Sequence, residues 1–272
     1  MAGFGERLQA ALAEHGPLCV GIDPHPALLE SVELEADVEG LREFTQRCVA
    51  AFAGRVAAVK PQSALFEAFG AAGIAVLEEA IAGLRAAGTL VVLDAKRGDI
   101  GSTNAGYARA WFGEGAPLRC DAVTLSPYLG PESLDGIVAA ARADGAGAFV
   151  LCRTSNPEAA AVQTALVAEG ETVARSVARW AAGHDGDVGL VVGITVADAR
   201  RELDLDRGEV PLLVPGFGAQ GGAAADLVGV LGEAAAGRSL ASVSRDVLRH
   251  AGSVEELVEA VDGWASAFAG QR

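Results

Sequence analysis

Residues Leu90–Thr103 read LVVLDAKRGDIGST. Four apolar residues, Leu90 to Leu93, run straight into Asp94, Lys96, Arg97 and Asp99. The run is short, rich in β-branched residues and free of polar alternation, which is the pattern of a strand covered on both faces. Seven further runs share that character: Leu18–Ile22, Val56–Val59, Ala122–Leu125, Ala148–Leu151, Gly189–Gly193, Leu212–Val214 and Leu240–Val243. Between them lie longer segments such as GIAVLEEAIAGLRAAG (73–88), with apolar residues at helical spacing and a closing glycine. Strand–helix alternation repeated eight times predicts an α/β fold, a (β/α)8 barrel, with a doubly wound open sheet as the alternative. The chain of 272 residues has no Pro/Ser-rich linker or low-complexity break, so residues 1–272 are expected to form one barrel domain.

A barrel brings the C-terminal ends of all its strands to one face, and barrel enzymes carry their sites there. The polar residues that follow the eight runs are Asp23, Lys60, Asp94 with Lys96, Ser126, Thr154 with Ser155, Thr195, Gln220 and Arg245. Any one of them could be an ordinary turn or cap. Two lysines at strand ends are harder to explain so. In an extended segment Asp94 and Lys96 point to the same side. Asp99 comes where the chain turns into the next helix, and from the residues alone helix capping and catalysis are equally good readings. Thr103 fits ordinary first-turn chemistry. Arg97 reads as a solvated side chain.

The sequence is 51% hydrophobic with a net charge of −15. That balance argues against nucleic acid and anionic membrane as partners. An anionic substrate has to be held by a few placed cations. Cys19, Cys48, Cys120 and Cys152 stand apart with no CxxC pair, which suits a reducing cytoplasm. His15, His25, His184 and His250 show no metal-ligand spacing. The first sixteen residues, MAGFGERLQAALAEHG, read as an amphipathic helix without a signal-peptide core, and no stretch reaches membrane-span length without charge.

PGFGAQGG (215–222) holds Gly216, Gly218 and Gly221 in G-x-G-x-x-G spacing. A dinucleotide fold would place that motif at its first strand–helix turn, with an acidic residue after the next strand. Here it follows the seventh run, and the next run leads to Arg245. Loops after the seventh and eighth strands of barrels frequently bind phosphate, so a phosphate cradle is the better reading. Gln220 can donate from its amide and Arg245 can grip two oxygens at once. Arg238 precedes the eighth run and belongs on the opposite face.

Together these stretches resemble the orotidine 5'-phosphate decarboxylases, and among them the longer bacterial, type 2 branch. The shared segments are CVGIDPHP, VKPQSALFE, LDAKRGDIGST, SPYLG, TSNPE, GLVVGIT, PLLVPGFGAQGG and SVSRDVL, spanning residues 19–248. The resemblance implies decarboxylation of orotidine 5'-monophosphate to uridine 5'-monophosphate, the last step of de novo pyrimidine nucleotide synthesis, with no cofactor and no metal. It implies Lys96 as proton donor flanked by Asp94 and Asp99, and Lys60 on the ribose and beside Asp94. Asp23 would hold the ribose, Ser155 the pyrimidine amide, and Gln220, Arg245 and the Gly218 loop the phosphate. Asp99 and Thr103 would enter the site from the second subunit of a homodimer with shared active sites. ITVADAR (194–200) departs from the Thr-x-Pro turn of relatives and touches none of these residues.

Two other functions fit parts of the pattern. Metal-dependent relatives, such as hexulose phosphate synthase or keto-gulonate phosphate decarboxylase, share D-x-K-x-x-D but carry an acidic metal ligand where this chain has Lys60. A non-catalytic nucleotide-binding barrel would need the cradle but not a lysine between two carboxylates.

Overall fold

In the computed structural model, which describes residues 2–168 and 170–270, eight parallel strands close into a barrel in sequence order. They are β1 (Leu18–Ile22), β2 (Ala58–Pro61), β3 (Leu90–Arg97), β4 (Ala122–Leu125), β5 (Gly147–Arg153), β6 (Val188–Val192), β7 (Leu212–Pro215) and β8 (Ser239–Val243). Closure is made by β8 on β1, with Leu18 opposite Ala241 and Val20 opposite Val243. The open-sheet alternative is therefore excluded, and the short seventh and eighth runs are both strands.

Two apolar layers hold the barrel. Val20, Ile22, Val59, Val91 and Leu93 face the outer helices and pack there with Phe44, Phe52, Leu77 and Leu84. Cys19, Ala58, Leu90, Val92, Phe149 and Leu213 fill the interior. The helix Phe4–His15 closes the N-terminal mouth. Its Phe4, Leu8 and Leu12 recur every fourth position, form one stripe and join the interior cluster. Phe4 meets Phe149 edge-on with ring centroids 5.7 Å apart. Burying such a side chain stabilises the fold by about 1.5–3 kcal/mol. Gly147 beside it has no room for a side chain, since a Cβ there would lie 2.3 Å from the Phe4 ring.

The outer helices start on side-chain caps where the sequence supplies them. Asp37 accepts from the Gly40 N–H at 2.9 Å and opens the helix Val38–Phe52. Ser253 does the same for Val254–Ala269 through the Glu256 N–H. The N-terminal face of the barrel is tied by ions. Asp121 accepts from Arg7 at 2.8 Å, from Arg85 at 3.3 Å and from the Val91 N–H at 2.9 Å. Arg238 lies on this face, as its position ahead of β8 implies, and donates to the carbonyls of Val210, Ala234 and Leu205.

Strand boundaries differ from the apolar runs in an instructive way. The second run, 56–59, is displaced by two residues from β2, which takes in Lys60 and Pro61. β3 extends through Asp94, Lys96 and Arg97. Val56 and Ala57 are buried ahead of the ladder, so apolar character marks burial there and not pairing. All four cysteines are free and buried, Cys48 included. Burial pushes the Cys19 thiol up to about 12, against the opposing pull of nearby Lys60. No described helix is long and apolar enough to cross a membrane.

Candidate active site

The C-terminal ends of the strands surround a cavity of about 370 Å³, within the size range of small-molecule sites. Asp23, Lys60, Asp94, Lys96, Ser155, Gln220 and Arg245 all line it, brought from β1, β2, β3, β5, β7 and β8. Val191, Leu213 and Leu151 form part of its apolar floor. Ser126 and Thr195, which also follow strands, do not line it.

At its centre a carboxylate bridges two ammonium groups. Lys60 Nζ donates to Asp94 Oδ2 at 2.7 Å, and Lys96 Nζ donates to Asp94 Oδ1 at 2.5 Å. Lys60 and Asp94 are both 6% exposed. Burial alone would neutralise them, lowering the lysine and raising the aspartate. Their mutual attraction overrides it. Asp94, Asp23 and the hydrogen bond to Asp94 leave Lys60 well above the ordinary lysine range. The two lysines hold Asp94 well below the usual carboxylate range. The buried pair is therefore ionised at neutral pH. The Lys96 side chain is 43% exposed, so its ammonium is reachable from the cavity.

Lys96 and Asp94 share a side, as the sequence implies, but the backbone between them is not regular strand. Lys96 has φ +48°, and the β3–β4 register slips between Leu93 and Arg97. Arg97 is not simply solvated. It donates to Glu67 at 2.6 Å, and Glu67 in turn accepts from the Ser63 hydroxyl.

Asp23 Oδ1 is buried with no hydrogen-bond partner among the described residues, although a buried acceptor is normally paired. After β7, the 215–222 loop is folded on itself. The N–H groups of Gly218, Gly221 and Gly222 donate to Gly222, Gly218 and Gly216 carbonyls. Gly216 and Gly218 have φ +113° and +69°, which only glycine adopts freely. Gly216, Ala219 and Gln220 line the cavity. Gly218 does not; it turns towards Asp246, whose carboxylate a Cβ would strike at 2.3 Å. Its place in the structure is in the turn that presents Ala219 and Gln220. Arg245 opens the short helix Arg245–Leu248 and has no ion-pair partner among the described residues.

Asp99 and Thr103 lie outside this chain's cavity. Asp99 caps no helix by side chain; its Oδ1 accepts the adjacent Ile100 N–H at 2.8 Å, and Ile100 occupies the cap position of Gly101–Trp111. The buried Asn104 grips the Asp99 backbone at both N–H and C=O and also donates to the Ser133 carbonyl. Residues that sequence reasoning missed are Thr124, Gln62, Asn156, Ser242 and Ser244, all on the cavity wall. Thr124 sits inside an apolar run, and nothing in the run marks it. Among the described residues no group of three His, Cys, Asp or Glu side chains could hold a metal ion.

The sequence profile of the orotidine 5'-phosphate decarboxylase / HUMPS family matches residues 16–260. Curated orotidine 5'-phosphate decarboxylases from Salinispora arenicola and Salinispora tropica are each 52% identical over 268 residues, covering 96% of this chain and 95% of the relative. The crystal structure of a candidate orotidine 5'-phosphate decarboxylase from Streptomyces avermitilis superposes with a TM-score of 0.95 at 48% identity, covering 100% of this chain and 96% of that one. A Leishmania donovani OMP decarboxylase structure gives a TM-score of 0.74 at 32% identity, covering 97% of this chain and 99% of that one.

Proposed function

The chain belongs to the orotidine 5'-phosphate decarboxylase / HUMPS family, and we propose how its own residues convert orotidine 5'-monophosphate to uridine 5'-monophosphate. The observation that carries the reading is the Lys60–Asp94–Lys96 array on the cavity wall, with a reachable ammonium at its end. Cleavage of the bond from C6 to the carboxylate leaves the electron pair on C6 and releases carbon dioxide. The Lys96 ammonium stabilises that carbanion through space and then gives it a proton, forming the C6–H bond. Lys96 is left neutral and regains a proton from solvent. Asp94 accepts a hydrogen bond from the Lys96 ammonium before the reaction and so aims it.

The rest of the cavity supplies binding. Asp23, with its unpaired buried oxygen, would accept from a ribose hydroxyl beside Lys60. Ser155 would meet the pyrimidine amide. Gln220 and Arg245 would hold the phosphate, joined by the backbone N–H groups of Ala219 and Gln220, which donate to no acceptor among the described residues. Gly218 contributes the turn. Binding energy from the phosphate can then be spent on holding the ring at Lys96. The array does not favour the metal-dependent relatives, because a second buried cation would be repelled by Lys60.

Arg245→Ala should raise KM and lower kcat/KM by roughly 10- to 150-fold, the worth of a charge-assisted hydrogen bond of about 1.5–3 kcal/mol. Steady-state kinetics on orotidine 5'-monophosphate measures it. Unchanged constants would place the phosphate elsewhere.

We further infer a homodimer with shared sites, working in the cytoplasm. Asp99 and Thr103 flank Ile100, which is 62% exposed, and the segment after β4, tied to β3 where the Ser126 N–H donates to the Arg97 carbonyl, exposes Tyr128 and Leu129 at 81% and 55%. A two-fold partner covering these exposed apolar side chains would receive Asp99 and Thr103 at its own cavity. Four buried free thiols suit a reducing compartment.

A further inference from the structure

We propose that Thr124 is a positioning residue for the proton donor: its one hydroxyl fixes the backbone of Lys96 and the carboxylate of Asp94 together. The inference rests on Lys96 being that donor. Leu93 stands opposite Val123 and Arg97 opposite Leu125, so on the β4 side residues 94–96 of β3 have Thr124 alone opposite them. Such a bulge leaves backbone groups without their strand partners. Lys96 has φ +48°, a conformation that costs a non-glycine residue of order 1–3 kcal/mol and persists only where its surroundings enforce it.

Thr124 is what enforces it. The Lys96 N–H, displaced from the ladder, donates to Thr124 Oγ1 at 2.9 Å. The same hydroxyl donates its proton to Asp94 Oδ1 at 2.7 Å. That oxygen also receives the Lys96 ammonium at 2.5 Å. A closed loop results, running from the Lys96 backbone through Thr124 and Asp94 back to the Lys96 side chain. Thr124 is 1% exposed, and its neighbours Val123 and Leu125 are buried, so the hydroxyl has no freedom to turn away. The ammonium is thereby held from both ends of its own residue. Valine has nearly the same shape and lacks the hydroxyl, which makes it the informative replacement. With it, the Lys96 N–H loses its acceptor and Asp94 loses one of its donors.

The test measures kcat and KM for Thr124→Val, Thr124→Ser and Lys96→Ala side by side. Rates are taken per folded molecule, counted by bound uridine 5'-monophosphate. A misplacement near 1 Å costs about 100-fold, so Thr124→Val should lose roughly 10- to 100-fold in kcat. KM should stay within about threefold, because the contacts to ribose and phosphate are untouched. Thr124→Ser should restore most of the rate, since it returns the hydroxyl. Thr124→Ala serves the same comparison if the valine variant does not fold. Near wild-type kcat in the valine or alanine variant, with Lys96→Ala inactive, would overturn the role of Thr124 and leave the proton donor standing. Serine and valine variants that are equally slow would overturn it too, by assigning the loss to packing. Substantial turnover by Lys96→Ala would remove the proton donor and this inference with it.

Discussion

Replacing Lys96 by alanine is expected to stop turnover while leaving nucleotide binding largely intact. Two contributions disappear together. Proton delivery by a placed acid contributes about 10²–10⁴-fold, and a charge aimed at the developing carbanion about 10²–10³-fold. Loss of more than roughly 10⁴ in kcat therefore follows. Binding is expected to survive because Asp23, Gln220 and Arg245 come from β1, β7 and β8 and do not depend on Lys96. Asp94 keeps its buried partner Lys60 at 2.7 Å, so no ion is left unpaired in the interior. The measurement is a progress curve with orotidine 5'-monophosphate beside a titration with uridine 5'-monophosphate. Turnover near the wild-type rate would end the assignment of Lys96. Lost binding with lost turnover would make Lys96 a binding residue instead.

The second large effect tests whether Asp99 serves the neighbouring subunit. Lys96→Ala and Asp99→Ala should each be inactive alone. Mixed under conditions that exchange subunits, they should regain activity. In a mixed dimer one site carries both defects. The other combines an intact Lys96 from one chain with an intact Asp99 from its partner. Random pairing makes half the dimers mixed, and half of their sites whole, so about a quarter of wild-type activity should return under two-fold symmetry. The position of Asp99 outside its own chain's cavity, next to the exposed Ile100, motivates the experiment. A tagged pull-down shows that exchange has occurred. Exchange without recovered activity would mean that Asp99 acts within its own chain.

Much of this arrangement is legible in the sequence because barrel strands are buried on both faces and end in polar residues. LVVLDAKRGDIGST carries both signals in fourteen residues, and the same pairing of apolar run with polar end recurs at Asp23, Ser155 and Arg245. Strand ends are less legible. Lys60 and Pro61 continue the β2 ladder although neither is a strand-like residue, because pairing with Gly21 and Ile22 of β1 holds them there. Thr124 is hidden for a different reason. A threonine in AVTL is equally at home as a β-branched packing residue, and only the slipped register of β3 turns its hydroxyl into a partner for Lys96. Gly218 shows the converse. Its spacing picks out a glycine turn, while the cavity wall is lined by Gly216, Ala219 and Gln220 around it. Asp99 and Thr103 exceed what one chain's sequence can place, since the site they are proposed to complete belongs to another copy.

The central claim is that this site decarboxylates orotidine 5'-monophosphate with its own side chains. Its most direct test is turnover of that nucleotide by the purified enzyme, followed by the change in ring absorbance, with and without a strong chelator. Uridine 5'-monophosphate and carbon dioxide should form in equal amounts, at a rate the chelator does not change. No turnover, or turnover abolished by the chelator and restored by a divalent cation, would contradict it.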